Sequence, residues 1–177
     1  MSPILTVITG TNRLESNSEI VALDYAKLLK SKGCLVNHIH LRELPETMAF
    51  SETYGNRTAE FQKIIDEKIT NCEKFVFIIP EYNGSFPGVL KTLMDAVPPS
   101  EWNYKKAGLI GLSSGRAGAL RATDQFSGIL NYLKVNVYFS KPKLAGIQHM
   151  LNGHPDSEPV KEYASILDAH ADGLMAF

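Results

Sequence analysis

One stretch constrains the fold of this chain more than any other: Lys74-Phe75-Val76-Phe77-Ile78-Ile79, which runs into Pro80. Side chains of a strand point alternately to its two faces, so a strand with one face in water shows polar residues at every second position. Phe75 to Ile79 shows none. Such continuity suits a strand covered on both faces, as in a parallel sheet sandwiched between helices.

The rest of the chain supplies the elements such a sheet needs. Ile4–Thr9 is a short β-branched strand ended by Gly10. Residues 19–32 carry helical spacing through Ile20, Leu23, Ala26, Leu28 and Leu29 up to Gly33. Residues 34–41 read as a second strand, followed by an irregular stretch over 45–56 that is longer than most connections. A helix over 58–71 leads into the apolar run at 74–79. After the turn at 80–88 come a helix at 89–96, a strand at 107–112, a helix at 120–134, a strand at 136–139 and a last helix at 159–171, with Pro155-Asp156-Ser157 as its start signal. There are no internal repeats and no low-complexity segments.

Strand and helix alternate through five strands. The expected fold is therefore an α/β doubly wound five-stranded parallel sheet with helices on both faces and right-handed crossovers. Five strands and 177 residues favour the order 2-1-3-4-5, whose ligand crevice opens beyond the carboxyl ends of strands one and three. That length carries one sizeable core, so residues 1–177 are expected to form a single domain. Lysine plus arginine (18) nearly balance aspartate plus glutamate (19), for a net charge of -1, which argues against a nucleic acid or an acidic membrane as partner. No basic segment precedes Pro3-Ile4-Leu5, and no apolar run approaches membrane-spanning length, so a soluble cytoplasmic protein is expected. Cys34 and Cys72 are the only cysteines and lie far apart, which disfavours a disulfide framework and a metal knuckle alike. His38 and His40 alternate on one strand without a matching carboxylate or cysteine, while His149, His154 and His170 are scattered. Surface histidines and no metal site are expected.

The two loops at the expected crevice are the least ordinary in the sequence. Gly10-Thr11-Asn12-Arg13-Leu14-Glu15-Ser16-Asn17-Ser18 leaves a strand and opens a helix, offering hydroxyls, amides and a guanidinium. A phosphate monoester is held by such groups together with the free N–H groups of a helix start. The loop lacks the Gly-x-Gly-x-x-Gly spacing of a dinucleotide site, the Gly-Lys-Ser/Thr ending of a triphosphate loop and the cysteine of a small phosphatase. The alternative is that Ser16 or Asn17 simply caps the helix and Arg13 is a solvated charge. Pro80-Glu81-Tyr82-Asn83-Gly84-Ser85-Phe86-Pro87-Gly88 can lay main-chain groups along a flat heterocycle, with Tyr82 and Asn83 suited to a pyrimidine-like edge. Its plain alternative is a tight turn with an exposed tyrosine. In the third loop, Ser113-Ser114-Gly115-Arg116-Ala117-Gly118, small residues permit close approach of a ring, and Arg116 reads as a surface charge, the alternative being reach to an anionic substrate or a nicotinamide cofactor's phosphate.

At these residues the sequence resembles the NAD(P)H-dependent FMN reductase family, a flavodoxin-like group that includes quinone, azo-dye and chromate reductases. The family motif Gly-Ser-x-Arg-x-x-Ser-x-Asn is similar to Gly10 through Ser18, with Thr11 in place of serine and Ser18 where the family has asparagine. A second motif, Pro-Glu-Tyr-Asn-x-Ser-x-Pro-Gly-x-Leu-Lys, is matched from Pro80 to Lys91, with Asp95 following. The resemblance implies bound FMN, with Thr11, Asn12, Arg13, Ser16 and Ser18 around the phosphate. Pro80, Glu81, Tyr82, Asn83 and Gly84 would lie beside the isoalloxazine, with Ser113 and Gly115 approaching from the next loop. It implies NAD(P)H as donor, NADPH favoured, and a small acceptor such as a quinone, an azo compound or free flavin. Hydride transfer needs no protein acid or base, so no catalytic residue is assigned. It also implies a homodimer or homotetramer, with the helix over residues 88–97 and the loop over 45–56 as partner surface. Two rivals are a flavodoxin-type electron carrier, whose usual phosphate loop and acidic surface are absent here, and a flavin-poor family member acting through protein contacts.

Overall fold

In the computed structural model, which describes residues 2–177, the apolar run forms strand β3 (Lys74–Pro80) at the centre of the sheet. Phe75 through Ile79 are fully buried. On one side β3 pairs in parallel with β1 (Ile4–Thr9), and on the other with β4 (Lys106–Ser113). Strand β2 (Leu35–His40) flanks β1, and the order is β2-β1-β3-β4-β5, as the alternation of elements predicts.

The fifth position differs from the expected single strand over 136–139. Two short strands fill it, β5 (Asn136–Val137) and β6 (Lys143–Ala145), each parallel to a different end of β4. The Tyr138 N–H still bonds the Ala107 carbonyl at 2.8 Å, after which the chain leaves the ladder. It rejoins where Gly111 N–H donates to the Pro142 carbonyl at 2.9 Å. Pro142 has no N–H to give a ladder, and Phe139 between the two strands is 83% exposed.

Helices cover both faces. Helices α2 (Ala59–Ile65), α3 (Gly88–Ala96) and α4 (Leu120–Tyr132) enclose one core, where fully buried Trp102 packs on Phe75 with ring centroids 5.0 Å apart. Helix α1 (Asn17–Ser31), the short α5 (Ile147–Asn152) and the long α6 (Glu158–Ala176) enclose the other. Each large apolar side chain removed from water in these layers contributes about 1.5–3 kcal/mol. The expected helix over 58–71 is α2 continued by a wide π-type turn over Asp66–Thr70, and the tail helix runs past residue 171 to Ala176. Helix α5 has no counterpart in the sequence reading; six residues are too few for periodicity to register.

The irregular stretch over 45–56 is held by its own buried groups. Met48 and Glu52 point inward, and Glu52 Oε2 accepts the Thr58 N–H at 2.9 Å, next to the start of α2. Two histidines expected at the surface are interior: His40 and His170 are 1% and 2% exposed. His40 Nδ1 accepts the Arg42 N–H at 3.0 Å, and His170 Nδ1 meets the Tyr25 hydroxyl at 2.7 Å, so a partner in the chain replaces water at one nitrogen of each ring. Cys34 and Cys72 are both free and buried.

Candidate functional site

Strands β1, β3 and β4 end at one edge of the sheet, and a cleft of about 320 Å³ opens there. Its walls come from four segments: Arg13 and Glu15 to Ser18, Pro80 to Tyr82, Leu112 to Ser114, and Ile147 with Gln148.

Gly10 begins the first wall. Its N–H donates to the Ile78 carbonyl at 2.9 Å, and a Cβ at this position would sit 2.7 Å from that same oxygen, so only glycine lets β1 pass so close to β3. Ser16 then caps α1, its Oγ accepting the Glu19 N–H at 3.2 Å. Serine followed three residues later by glutamate is a recurrent helix-start pattern. The remaining N–H groups of the first turn have no partner within the helix, and the helix dipole adds partial positive charge at the same place. Arg13, Ser16, Asn17 and Ser18 thus converge on one end of the cleft, which suits an anion.

The second wall ends in a two-residue hairpin turn. Asn83 (φ 52°) and Gly84 (φ 81°) both take the left-handed conformation that such turns require, and Tyr82 and Ser85 exchange backbone hydrogen bonds at 2.8 and 3.1 Å. The turn aims Tyr82 back at the first loop, where its hydroxyl meets Thr11 Oγ1 at 3.0 Å. Glu81 Oε1 pairs with Arg121 at 3.2 Å, whereas Oε2 is buried with no hydrogen-bond partner. An unpaired buried carboxylate oxygen is costly, and a donor bound in the cleft would satisfy this one.

The third wall is shaped by Gly111, where a Cβ would lie 2.6 Å from the Gly118 carbonyl. Ser113 Oγ donates to the Gly115 carbonyl at 3.0 Å, which closes the loop on itself.

Of the residues singled out in the sequence, Arg13, Ser16, Ser18, Pro80, Glu81, Tyr82 and Ser113 meet in this cleft. Thr11 is fully buried behind it and ties the first loop to the second. Asn12 lines a separate hollow with Leu14, Arg42 and Val89, while Asn83 and Gly84 form the hairpin turn, and Gly115 and Arg116 are exposed beside the cleft. Asn17, weighed in the sequence as a helix cap, lines the cleft as well. Residues not foreseen are Glu15, Leu112, Ser114, Ile147 and Gln148, together with Arg121 as the partner of Glu81. The first three adjoin expected site residues. Ile147 and Gln148 reach the cleft only through the path of β6, for which the sequence carries no local sign.

His38 supports the first wall from below, its Nε2 lying 2.8 Å from Thr9 Oγ1. Burial, followed by the neighbouring His40, lowers its pKa, so the ring is neutral at physiological pH. Among the described residues no group of three His, Cys, Asp or Glu side chains is placed to hold a metal ion, and no helix is long and apolar enough to cross a membrane.

A doubly wound sheet in this order, with an anion-suited helix start and two further loops at its switch point, is a flavodoxin-like fold. Residues 4–145 match the model of the NADPH-dependent FMN reductase family, and the chain belongs to that family. It is thus an oxidoreductase that works with FMN and NAD(P)H. A 2-hydroxy-1,4-benzoquinone reductase from a Burkholderia species is 28% identical over 94% of this chain and 93% of its own length. An NADPH azoreductase from a Bacillus strain is 24% identical over 88% and 85%. Among solved structures, the flavoenzyme NAD(P)H:(acceptor) oxidoreductase FerB from Paracoccus denitrificans superposes with a TM-score of 0.73 at 23% identity, covering 98% of both chains. An apo NADH:FMN oxidoreductase gives 0.73 at 19% identity, over 98% of this chain and 90% of its own. These two structures bear on the fold.

Proposed function

We propose that the cleft holds FMN and that the protein passes electrons from NAD(P)H to a small acceptor of the quinone or azo class. The observation that carries this reading is the convergence of Arg13, Ser16, Asn17 and Ser18 at the start of α1 with Pro80 to Tyr82 in one cleft. Arg13 and the first-turn N–H groups would hold the phosphate, with Ser16 and Ser18 supplying hydroxyls. Pro80, Glu81 and Tyr82 would border the ring, where Glu81 Oε2, which has no partner in the chain, would accept an N–H from its edge. Thr11 positions Tyr82 instead of touching the ligand. When bound, the flavin supplies the hydride and electron chemistry. The chain binds, orients and limits water, and no side chain is assigned a proton-transfer role. The relatives named quinone reductase and azoreductase support the acceptor class.

Purified protein is expected to take up added FMN with a shifted visible spectrum, and to oxidise NADPH when benzoquinone is supplied. Because one flat site serves both substrates in turn, initial rates are expected to give parallel lines in double-reciprocal plots. Protein that stays colourless with excess FMN would sink the proposal. Flavin uptake without NAD(P)H oxidation would instead favour an electron carrier.

The same reading includes a homodimer acting in the cytoplasm, a compartment in keeping with two free buried thiols. Tyr54 of the irregular stretch, Met94 of α3 and Ile129 and Tyr132 of α4 line one mostly apolar groove, in which Lys91 and Asp95 pair at 2.6 Å. Tyr132 is 87% exposed in the single chain, which suits an aromatic that a second copy covers. Tyr132→Glu is expected to convert the protein from a dimer to a monomer of 19.6 kDa in light scattering after gel filtration, and an unchanged mass would rule this surface out.

A further inference from the structure

One wall of the cleft comes from outside the three strand-end loops. After β6 the chain turns at Gly146 (φ 58°), whose N–H bonds the Gly115 carbonyl at 3.2 Å. Ile147 is then buried in the core that contains Val21, Ala22 and Tyr25 of α1, so the next residue has little freedom of position. That residue is Gln148, and its Nε2 donates to Ser114 Oγ at 2.7 Å, at the edge of the cleft. The family match ends at residue 145, so this wall lies outside it.

We propose that Gln148, together with Ser114, is a specificity-determining pair that hydrogen-bonds the hydroxyl-bearing arm between the phosphate and the ring of the ligand. The proposal rests on the FMN reading above. Helix α5 packs beside α1, whose start forms the anion end, while Ser114 follows the strand that borders β3, whose end forms the ring edge. Gln148 thus lines the cleft that both of those segments share. With one amide hydrogen given to Ser114, the side chain keeps a second hydrogen and its carbonyl oxygen, and the Ser114 hydroxyl, already accepting, is free to donate. A phosphate wants donors alone, and a flat apolar ring face wants neither. A neutral polyol needs both donors and acceptors, which is the set present.

Flavin titrations followed by fluorescence test this with three probes: FMN, riboflavin, and lumiflavin, which has the ring but no polyol arm. Gln148→Ala is expected to weaken FMN and riboflavin by a common factor of about five, the worth of one neutral hydrogen bond, and to leave lumiflavin unchanged. Ser114→Ala is expected to give the same selective loss, and both positions are exposed, so folding is not at stake. Equal losses for all three flavins, or no loss for any, would overturn the assignment while leaving the FMN reading intact. Wild-type protein that binds none of the three overturns both.

Discussion

Replacing Ser18 with aspartate is expected to lower FMN affinity about a hundredfold at a modest cost in stability. Ser18 is 2% exposed, stands second in α1 and lines the anion end of the cleft. A carboxylate in the first turn of a helix is favourable by about 0.3–1 kcal/mol, which offsets part of its desolvation. Facing a phosphate, the same charge is repelled by about 4 kcal/mol at 4 Å and an effective dielectric of 20. Partial solvation of the open cleft reduces that, and about 2.7 kcal/mol corresponds to a hundredfold. Riboflavin has no phosphate and is expected to lose only a few-fold. The measurement is a pair of flavin titrations alongside a thermal melt. Equal losses for the two flavins would show that Ser18 does not face the phosphate, and a collapsed melting temperature would show that the helix start does not tolerate the charge.

Stability is expected to fall by roughly 3 kcal/mol as pH drops from 7 to 4 on account of His170 alone. Its ring lies between α1 and the sheet, with Nδ1 on the Tyr25 hydroxyl and Nε2 buried without a partner. The ring packs close against Gly108, where a Cβ would come within 2.8 Å of it, and beside the Tyr138 ring at 5.6 Å. Burial lowers its pKa from the ordinary 6.5 to about 4. Above pH 6.5 the histidine is neutral in both the folded and unfolded chain and costs nothing. Between 6.5 and 4 the unfolded chain binds a proton that the folded chain does not, so stability falls with pH, and below about 4 this contribution is spent. Burial also holds the Tyr25 hydroxyl pKa well above its usual range, so no charge on it compensates the imidazolium. Urea unfolding at intervals between pH 7.5 and 5 measures the slope. His170→Gln, which retains a polar contact for Tyr25, is expected to be less stable at pH 7 but flatter by about 2 kcal/mol over that interval. His38, also lowered, adds a loss of the same sign that this variant leaves in place. Parallel profiles for the two proteins would refute the role assigned to His170.

The elements that were legible in the sequence are those whose signal is local. The apolar run at β3 implied burial on both faces, and the burial of Phe75 to Ile79 agrees. Alternation of strands and helices implied the order of the sheet, because right-handed crossovers leave few topologies open. Ser16 was one of the two caps open to α1, and the helix starts at Asn17, two residues ahead of the apolar spacing. Asn83-Gly84 is a strong hairpin signal, and the turn it forms places Asn83 at its tip and leaves Glu81 and Tyr82 on the cleft. What was not legible depends on residues far apart in the chain. Whether a histidine is buried depends on what lies across from it, and His170 finds Tyr25 over a separation of 145 residues. The two strands β5 and β6 pair with opposite ends of β4, a long-range pairing whose register the short runs do not display.

The sequence by itself determined a parallel doubly wound sheet, the edge at which its ligand cleft opens, and two of the loops that build it, because each of these follows from hydrophobic period, turn chemistry or helix-start residues. Only the tertiary structure decided how the loop residues divide: Arg13, Ser16 and Ser18 into the cleft, Thr11 beneath it onto Tyr82, and Asn12 away from it. It also brought in Gln148 and set Arg121 against Glu81. Residue type and spacing specify what chemistry a loop can offer. Which way each side chain faces is settled by close packing against strands that arrive from elsewhere in the chain.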